Sequence, residues 1–259
     1  MYSTGKELRK AVQDGVFTGQ TSGHATGYVQ ANLAILPADW AFDFLLFAQR
    51  NPKPCPIIEV GDIGNPYTRF CADHADIRTD FPKYRVFRNG ELVEEIGDII
   101  DLWQDDFVYF LIGCSFTFET ALLQADMDVR HITEKSNVPM YKTNMMCHSA
   151  GKFPESPMVV SMRPFSPRDC IRAIEITGDF PSVHGSPVHV GDPMAIGIKD
   201  LAAPDFGDPV TVRKNEIPLF WACGVTPQMA AMVARPPLMI THAPGHMFVG
   251  DKKDNEYRF

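Results

Sequence analysis

No run in this sequence approaches the ~20 apolar residues of a membrane span. No basic run is present either: lysines and arginines are scattered, and the formal net charge is −8 with a pI near 5.4. That balance argues against a nucleic-acid surface driven by charge. The glycines form neither a Walker A loop nor a dinucleotide fingerprint, which removes the usual sequence support for nucleotide binding. The six cysteines (55, 71, 114, 147, 170, 223) include no close pair with metal-type spacing. The start, Met1-Tyr-Ser-Thr-Gly-Lys, leads into a polar helix and not an apolar leader. Dispersed cysteines without an export signal indicate a reduced, cytoplasmic protein. Beyond two similar turns described next, there is no internal repeat.

What the sequence does have is 45% hydrophobic residues over 259 positions, enough for one large domain or two coupled ones. Its most informative stretch is Phe107-Val-Tyr-Phe-Leu-Ile-Gly-Cys-Ser-Phe-Thr-Phe-Glu119. A continuous apolar run of strand length predicts a strand covered on both faces, as in the middle of an α/β sheet. Gly113 turns the chain, Cys114 and Ser115 stand at the strand's carboxyl end, and a helix follows from Ser115 or Thr117. Pro218-Leu-Phe-Trp-Ala-Cys-Gly-Val-Thr-Pro-Gln228 repeats the pattern, with Thr226 as N-cap and Pro227 in the first turn. Two strand ends with a Cys beside a Gly turn predict one shared pocket at helix N-termini, where ligands collect in α/β folds. Each cysteine alone reads rather as a packed thiol; the two turns together favour a site.

Around these turns the chain predicts a helix over residues 3–14, a polar loop over 17–32, a helix over 37–49 and a strand over 57–60. Asn89-Gly90 marks a hairpin between Tyr84–Arg88 and Glu91–Ile96. Strands at 138–143 and 158–163, a helix from Ser166 to about Thr177 and a strand at 188–190 form a two-layer unit. Residues 211–215, 219–222 and 238–241 return to the first layer. The expected fold class is α/β: a two-domain protein with a mixed-sheet α/β layer in residues 1–115 and 201–259, and an inserted two-layer α+β domain in 116–200.

Several side chains are candidates for chemistry. Tyr28, Gln30 and Asn32 alternate at the end of the polar loop and line a pocket or a plain surface. Arg78, between Asp76 and Asp80, either forks onto a substrate carboxylate or is neutralised by its neighbours. Arg163 ends a strand as a second carboxylate binder or a simple surface charge. Glu119 lies one helical turn beyond Ser115, as a catalytic carboxylate or a capping-box partner. His242 directly follows a strand and is a candidate acid or base beside the cysteines. Pro244-Gly245 forbids a helical zinc pair from His242 and His246, and the same holds for His184 and His189. The catalytic candidates are therefore Cys114, Ser115, Glu119, Cys223 and His242; the substrate-binding candidates are Tyr28, Gln30, Asn32, Arg78, Arg163, Thr226 and Gln228.

Long segments carry a family likeness. Gly27-Tyr-Val-Gln-Ala-Asn32, Asp76-Ile-Arg-Thr-Asp80, Phe110-Leu-Ile-Gly-Cys-Ser115, Asn137-Val-Pro-Met-Tyr141, Val159-Val-Ser-Met-Arg-Pro164, His184-Gly-Ser-Pro-Val-His189, Trp221-Ala-Cys-Gly-Val-Thr-Pro-Gln228 and Ile240-Thr-His-Ala-Pro-Gly245 together resemble the bacterial putative hydro-lyase family, which is related to D-glutamate cyclase. His24 and Thr26 depart from the family's apolar residue and proline. The resemblance implies two α/β domains and a lyase of the hydro-lyase type that acts on an amino or carboxylic acid, cyclising D-glutamate to 5-oxo-D-proline with loss of water. It implies no certain cofactor, a divalent metal such as manganese being the candidate. The expected partner is a small acidic metabolite, without nucleic acid or membrane, and a homo-oligomer is the candidate assembly. Two other classes stay open: a cofactor-independent racemase or isomerase with Cys114 and Cys223 as opposed thiols, and a non-catalytic binding module for an acidic metabolite.

Overall fold

A computed structural model describes residues 2–258. Thr4 caps the first helix, α1 (Gly5–Gln13), by accepting a hydrogen bond from the Glu7 amide at 3.1 Å. There follow β1 (Tyr28–Pro37), α2 (Ala38–Arg50), β2 (Ile57–Val60), the hairpin β3 (Tyr84–Arg88) and β4 (Glu91–Ile96), and β5 (Phe107–Gly113). The next stretch holds α3 (Phe116–Gln124), α4 (Arg130–Thr133), β6 (Met140–Cys147), β7 (Ser156–Phe165), α5 (Pro167–Gly178) and β8 (His189–Val190). The chain closes with β9 (Ile217–Ala222), α6 (Thr226–Ala234), β10 (Met239–His242) and β11 (Phe248–Lys253). Among the described residues no helix is long and apolar enough to cross a membrane.

The strands form two sheets. The first runs β2-β5-β1-β10-β3-β4, with β11 also paired to β1; the second runs β6-β7-β9-β8. The α/β class stands, with antiparallel pairing at each of these ladders in place of the expected mixed sheet. The continuous apolar run of β5 is explained by position. Tyr109 and Leu111 face one core with Leu33 and Ile35, while Phe110 and Ile112 face another beneath α2 and α6. Both faces are covered, so alternation disappears although the sheet is antiparallel.

Three expectations need correction. Leu219–Ala222 pairs with β7 and β8 in the second sheet, not with the first. Its Trp221 and Leu219 pack under α3 and α5, which the sequence assigned to a separate insert. Residues 28–32 are not loop but the start of the central strand β1, with which β11 pairs. Residues 211–215 form no strand.

The two Cys–Gly turns thus leave different sheets, yet they meet. Cys114 and Cys223 share one apolar cluster with Val138, Met140, Val159, Met229 and Met247 at the junction of the layers. The junction is close because Gly224 has no side chain. A Cβ there would stand 2.0 Å from Asn32 Nδ2, which is itself fixed by donating to the carbonyls of Gly113 at 2.9 Å and Ile112 at 3.2 Å. Gly224→Ala is expected to lower the unfolding free energy by about 1–3 kcal/mol through this overpacking. Urea titration measures it; an unchanged midpoint would show that the layers are not held this tightly.

Candidate functional site

Ser115, Glu119 and Arg163 come together in a closed ionic cluster. Arg163 is wholly buried and donates from Nε to Glu119 Oε1 at 3.0 Å, with a shorter bond from Nη2 to the same oxygen. Its remaining donors reach Ser115 Oγ at 3.0 Å and Ser161 Oγ at 3.1 Å. His131 Nε2 lies 3.1 Å from Glu119 Oε1, and Ser22 Oγ donates to Oε2 at 3.3 Å. Burial pushes the Glu119 carboxyl up, but the His131 and Arg163 charges and their hydrogen bonds outweigh it and hold it at about 2. So strong an acid is a poor base at neutral pH. Ser22 and Glu119 both approach the same imidazole nitrogen of His131, so the three do not form a nucleophilic relay. Glu119 is no capping-box partner, and the Nε–Nη2 fork of Arg163 is filled by Glu119 and not by a substrate carboxylate.

His242 is placed differently from the expectation. Strand β1 pairs with β10 at Ala34 and Ile35 and with β11 at Tyr28, Gln30 and Ala31. Where one partner gives way to the next, the Leu33 amide has no strand carbonyl, and His242 Nδ1 accepts from it at 3.1 Å. The ring lies on the Ile240 and Phe81 side of the sheet. Burial holds its pKa down at about 3, so it stays neutral and structural.

Arg78 closes its fork on Asp76, from Nε at 2.9 Å and from Nη2 at 2.7 Å, within its own turn. Tyr28 lies under the Lys253 ammonium, 3.5 Å from the ring centroid. Gln30 is tied to Thr21, whose hydroxyl donates to Oε1 at 2.7 Å. Thr226 is not the N-cap, a position held by Val225; its hydroxyl donates to the Cys223 carbonyl at 2.7 Å and accepts from the Val159 amide at 3.0 Å. That pair of bonds pins the second Cys turn to β7. Burial raises both thiols, Cys223 to about 11 and Cys114 further, so both are protonated at neutral pH.

Beside the Cys cluster lies a hollow of about 320 Å³ whose lining includes Lys83, Arg85, Glu95, Asn137 and His246. Phe206, on its wall, packs against the Cys cluster. Arg85 sits opposite Thr241 in the β3–β10 ladder. Its Nε donates to Glu95 at 2.7 Å and its Nη1 to Gln228 Oε1 at 3.3 Å. Gln228, buried in the first turn of α6, has its amide orientation fixed because Nε2 donates to the His242 carbonyl at 2.9 Å. Asn137 donates to the Pro244 carbonyl at 3.2 Å and leaves Oδ1 without a hydrogen bond. His246 Nδ1 is 3.0 Å from the same carbonyl, which makes it the protonated nitrogen and leaves Nε2 a free acceptor. Burial lowers the His246 pKa, against the bond to Pro244 and with the repulsion of Lys83.

Of the predicted residues Gln228 reaches this hollow through its bond to Arg85, and Cys114 and Cys223 lie in the cluster against which Phe206 packs. Lys83, Arg85, Asn137 and His246 were missed. Arg85 had a readable signal: Tyr84-Arg-Val-Phe-Arg places it on the strand face opposite the apolar Tyr84 and Val86. Among the described residues no group of three His, Cys, Asp or Glu side chains is arranged to hold a metal ion. The donor set therefore does not fit a protein-ligated manganese site.

The sequence profile of the D-glutamate cyclase family matches residues 108–251. The chain is similar to a curated putative hydro-lyase of Bacillus licheniformis, 59% identical over 97% of this chain and 95% of that one. One from Geobacillus kaustophilus is 58% identical with the same coverage, and the putative hydro-lyase YcsI of Bacillus subtilis is 56% identical over 96% of each chain. A solved nitrogen repressor-like protein from Methanococcus jannaschii aligns over 98% of this chain and all of its own at a TM-score of 0.38 and 9% identity, a likeness too slight to carry an argument.

The ionic cluster gives two tests of structure. Arg163→Met leaves Glu119 buried without its guanidinium partner and is expected to cost about 3–5 kcal/mol in denaturant unfolding; a loss below about 1 kcal/mol would contradict the buried pairing. Glu119 and His242 both have folded pKa values below their ordinary 4.5 and 6.5. The unfolded chain then binds more protons, so stability is full above about pH 6.5 and falls as the pH drops toward 2. In Glu119→Gln the part of that fall below pH 4.5 should shrink, by on the order of 3 kcal/mol.

Proposed function

We propose, since the chain belongs to the D-glutamate cyclase family and its curated relatives carry the hydro-lyase designation, that it removes water from a small amino or carboxylic acid bound in the hollow at Arg85. The substrate we put there is D-glutamate, closed to 5-oxo-D-proline. The observation that carries this reading is the meeting, in a hollow also lined by Glu95 and Asp205, of two cationic side chains, Lys83 and Arg85, with a free imidazole acceptor, His246 Nε2, and an unpaired amide oxygen, Asn137 Oδ1. Carboxylates suit the first pair and an ammonium suits the second. A volume of about 320 Å³ suits a molecule of this size.

Ring closure joins the substrate nitrogen to its own side-chain carboxyl carbon and expels one carboxyl oxygen as water. The ammonium must first lose a proton, and the nitrogen must lose a second as the amide forms. His246 Nε2 takes these protons and returns them to the departing oxygen, so that no free hydroxide is released. Arg85 and Lys83 face the oxygen on which negative charge grows in the tetrahedral intermediate. Glu95 holds Nε of Arg85 and Gln228 holds Nη1, which orients the guanidinium and leaves Nη2 for the substrate. The racemase alternative needs one thiolate and one thiol, and burial keeps both Cys114 and Cys223 protonated. A non-catalytic module would bind the same acid without turnover.

Incubation of the protein with D-glutamate in deuterated buffer, followed by proton NMR, separates these readings. The lyase reading expects 5-oxoproline with the Cα proton retained. Cα deuteration without ring closure would favour the racemase, and saturable binding without either change would favour the module. Arg85→Met is expected to raise KM about ten- to a hundred-fold, the worth of a lost charge-assisted bond. His246→Asn is expected to lower kcat about 10²–10⁴-fold. Because burial lowers the His246 pKa and the neutral ring is the active form, the acid limb of kcat/KM should lie below the ordinary imidazole value of 6.5. A limb above it would assign the base to another group.

A further inference from the structure

We propose a second binding site, in the groove between α1 and the turn at residues 73–80, for a small organic cation with an apolar body: a primary ammonium or an amidinium. The groove has a volume of about 780 Å³ and shares no lining residue with the hollow at Arg85. Ala11, Val16 and Ala75 give it apolar walls, and Asp80, only 1% exposed, lies at its base.

Asp80 is incompletely matched. Its Oδ1 accepts from Gln13 Nε2 at 2.6 Å and from Thr79 Oγ1 at 3.0 Å, but Oδ2 accepts no hydrogen bond. The nearest charge is Arg9, whose Nε is 3.4 Å from Oδ2. Arg9 is already engaged: Nη2 donates to both oxygens of Asp251 at 3.0 Å, and Nη1 donates to the Val249 carbonyl at 2.6 Å. One guanidinium between two carboxylates leaves one negative charge unbalanced. The neighbouring ions do not supply the difference. Lys10 closes on Asp14 at 2.6 Å and Arg78 on Asp76 at 2.7 Å, which leaves Lys6 against Glu7 and Asp73.

A buried carboxylate oxygen with no donor carries its desolvation cost uncompensated. Burial accordingly pushes the Asp80 carboxyl up, more than Gln13, Thr79 and Arg9 bring it down. A cation in the groove supplies the missing charge beside Asp80, and the apolar walls favour a hydrocarbon body over a hydrated metal ion.

Calorimetric titration of the full chain with benzylamine, and with benzyl alcohol as its neutral isostere, tests the site. Benzylamine is expected to bind saturably and benzyl alcohol not to bind. Asp80→Asn should weaken benzylamine about ten- to a hundred-fold, the loss of a charge-assisted bond. Ala11→Phe, which fills the groove and leaves Asp80 in place, should abolish binding, and it decides the question alone if the Asp80 variant fails to fold. The proposal is overturned if benzylamine does not saturate, if the alcohol binds as well, or if either folded variant binds benzylamine like the parent.

Discussion

The Glu119–Arg163 ion pair is the constraint on which the rest of this structure depends. Glu119 stands on the helix that leaves the first sheet, and Arg163 on the central part of the second. Both are removed from water, so neither is tolerable without the other. Arg163 also spans the rings of Phe118 and Trp221, each centroid 5.4 Å from its guanidinium carbon. One side chain therefore fixes α3, β7 and β9 against one another. With α3 held there, the Cys114 turn must face the Cys223 turn, and the cleft between the sheets is set by that facing.

The same pair explains why the charges at the cleft are divided as they are. The strongest acid–base partners are used to join the layers and are electrically closed. In the proposed site the open groups are the Nη2 end of an arginine held by Glu95 and Gln228, an imidazole tied at one nitrogen, and an amide oxygen without a donor. A protein of net charge −8 repels acidic ligands at long range, so such a local arrangement is what an acidic substrate requires.

Much of this was legible in the sequence, and the failures are instructive. Asn89-Gly90, both at positive φ, marked the β3–β4 hairpin, and Ser166 with Pro167 marked the start of α5. The strand–Cys–Gly repeats marked the junction. What was not legible is which sheet a strand joins: β9 reads like β5 because both are covered on two faces, and composition does not distinguish two buried environments. β11 was hidden because its exposed end, Asp251-Lys-Lys253, resembles a solvated tail. His242 looked catalytic because a histidine after a strand commonly is. Its real task, satisfying the Leu33 amide where one strand partner replaces another, exists only in the pairing pattern. Arg78 and Arg163 were chosen for their carboxylate-binding chemistry, and both do bind carboxylates, those of Asp76 and Glu119.

The central claim is that the reacting acid sits between the sheets against Arg85 and His246. A crystal structure of the protein soaked with D-glutamate or 5-oxo-D-proline tests it most directly. The account predicts ligand density with a carboxylate on Arg85 and Lys83 and its nitrogen near Asn137 Oδ1 and His246 Nε2. Density seated elsewhere, with the hollow at Arg85 filled only by water, would contradict it.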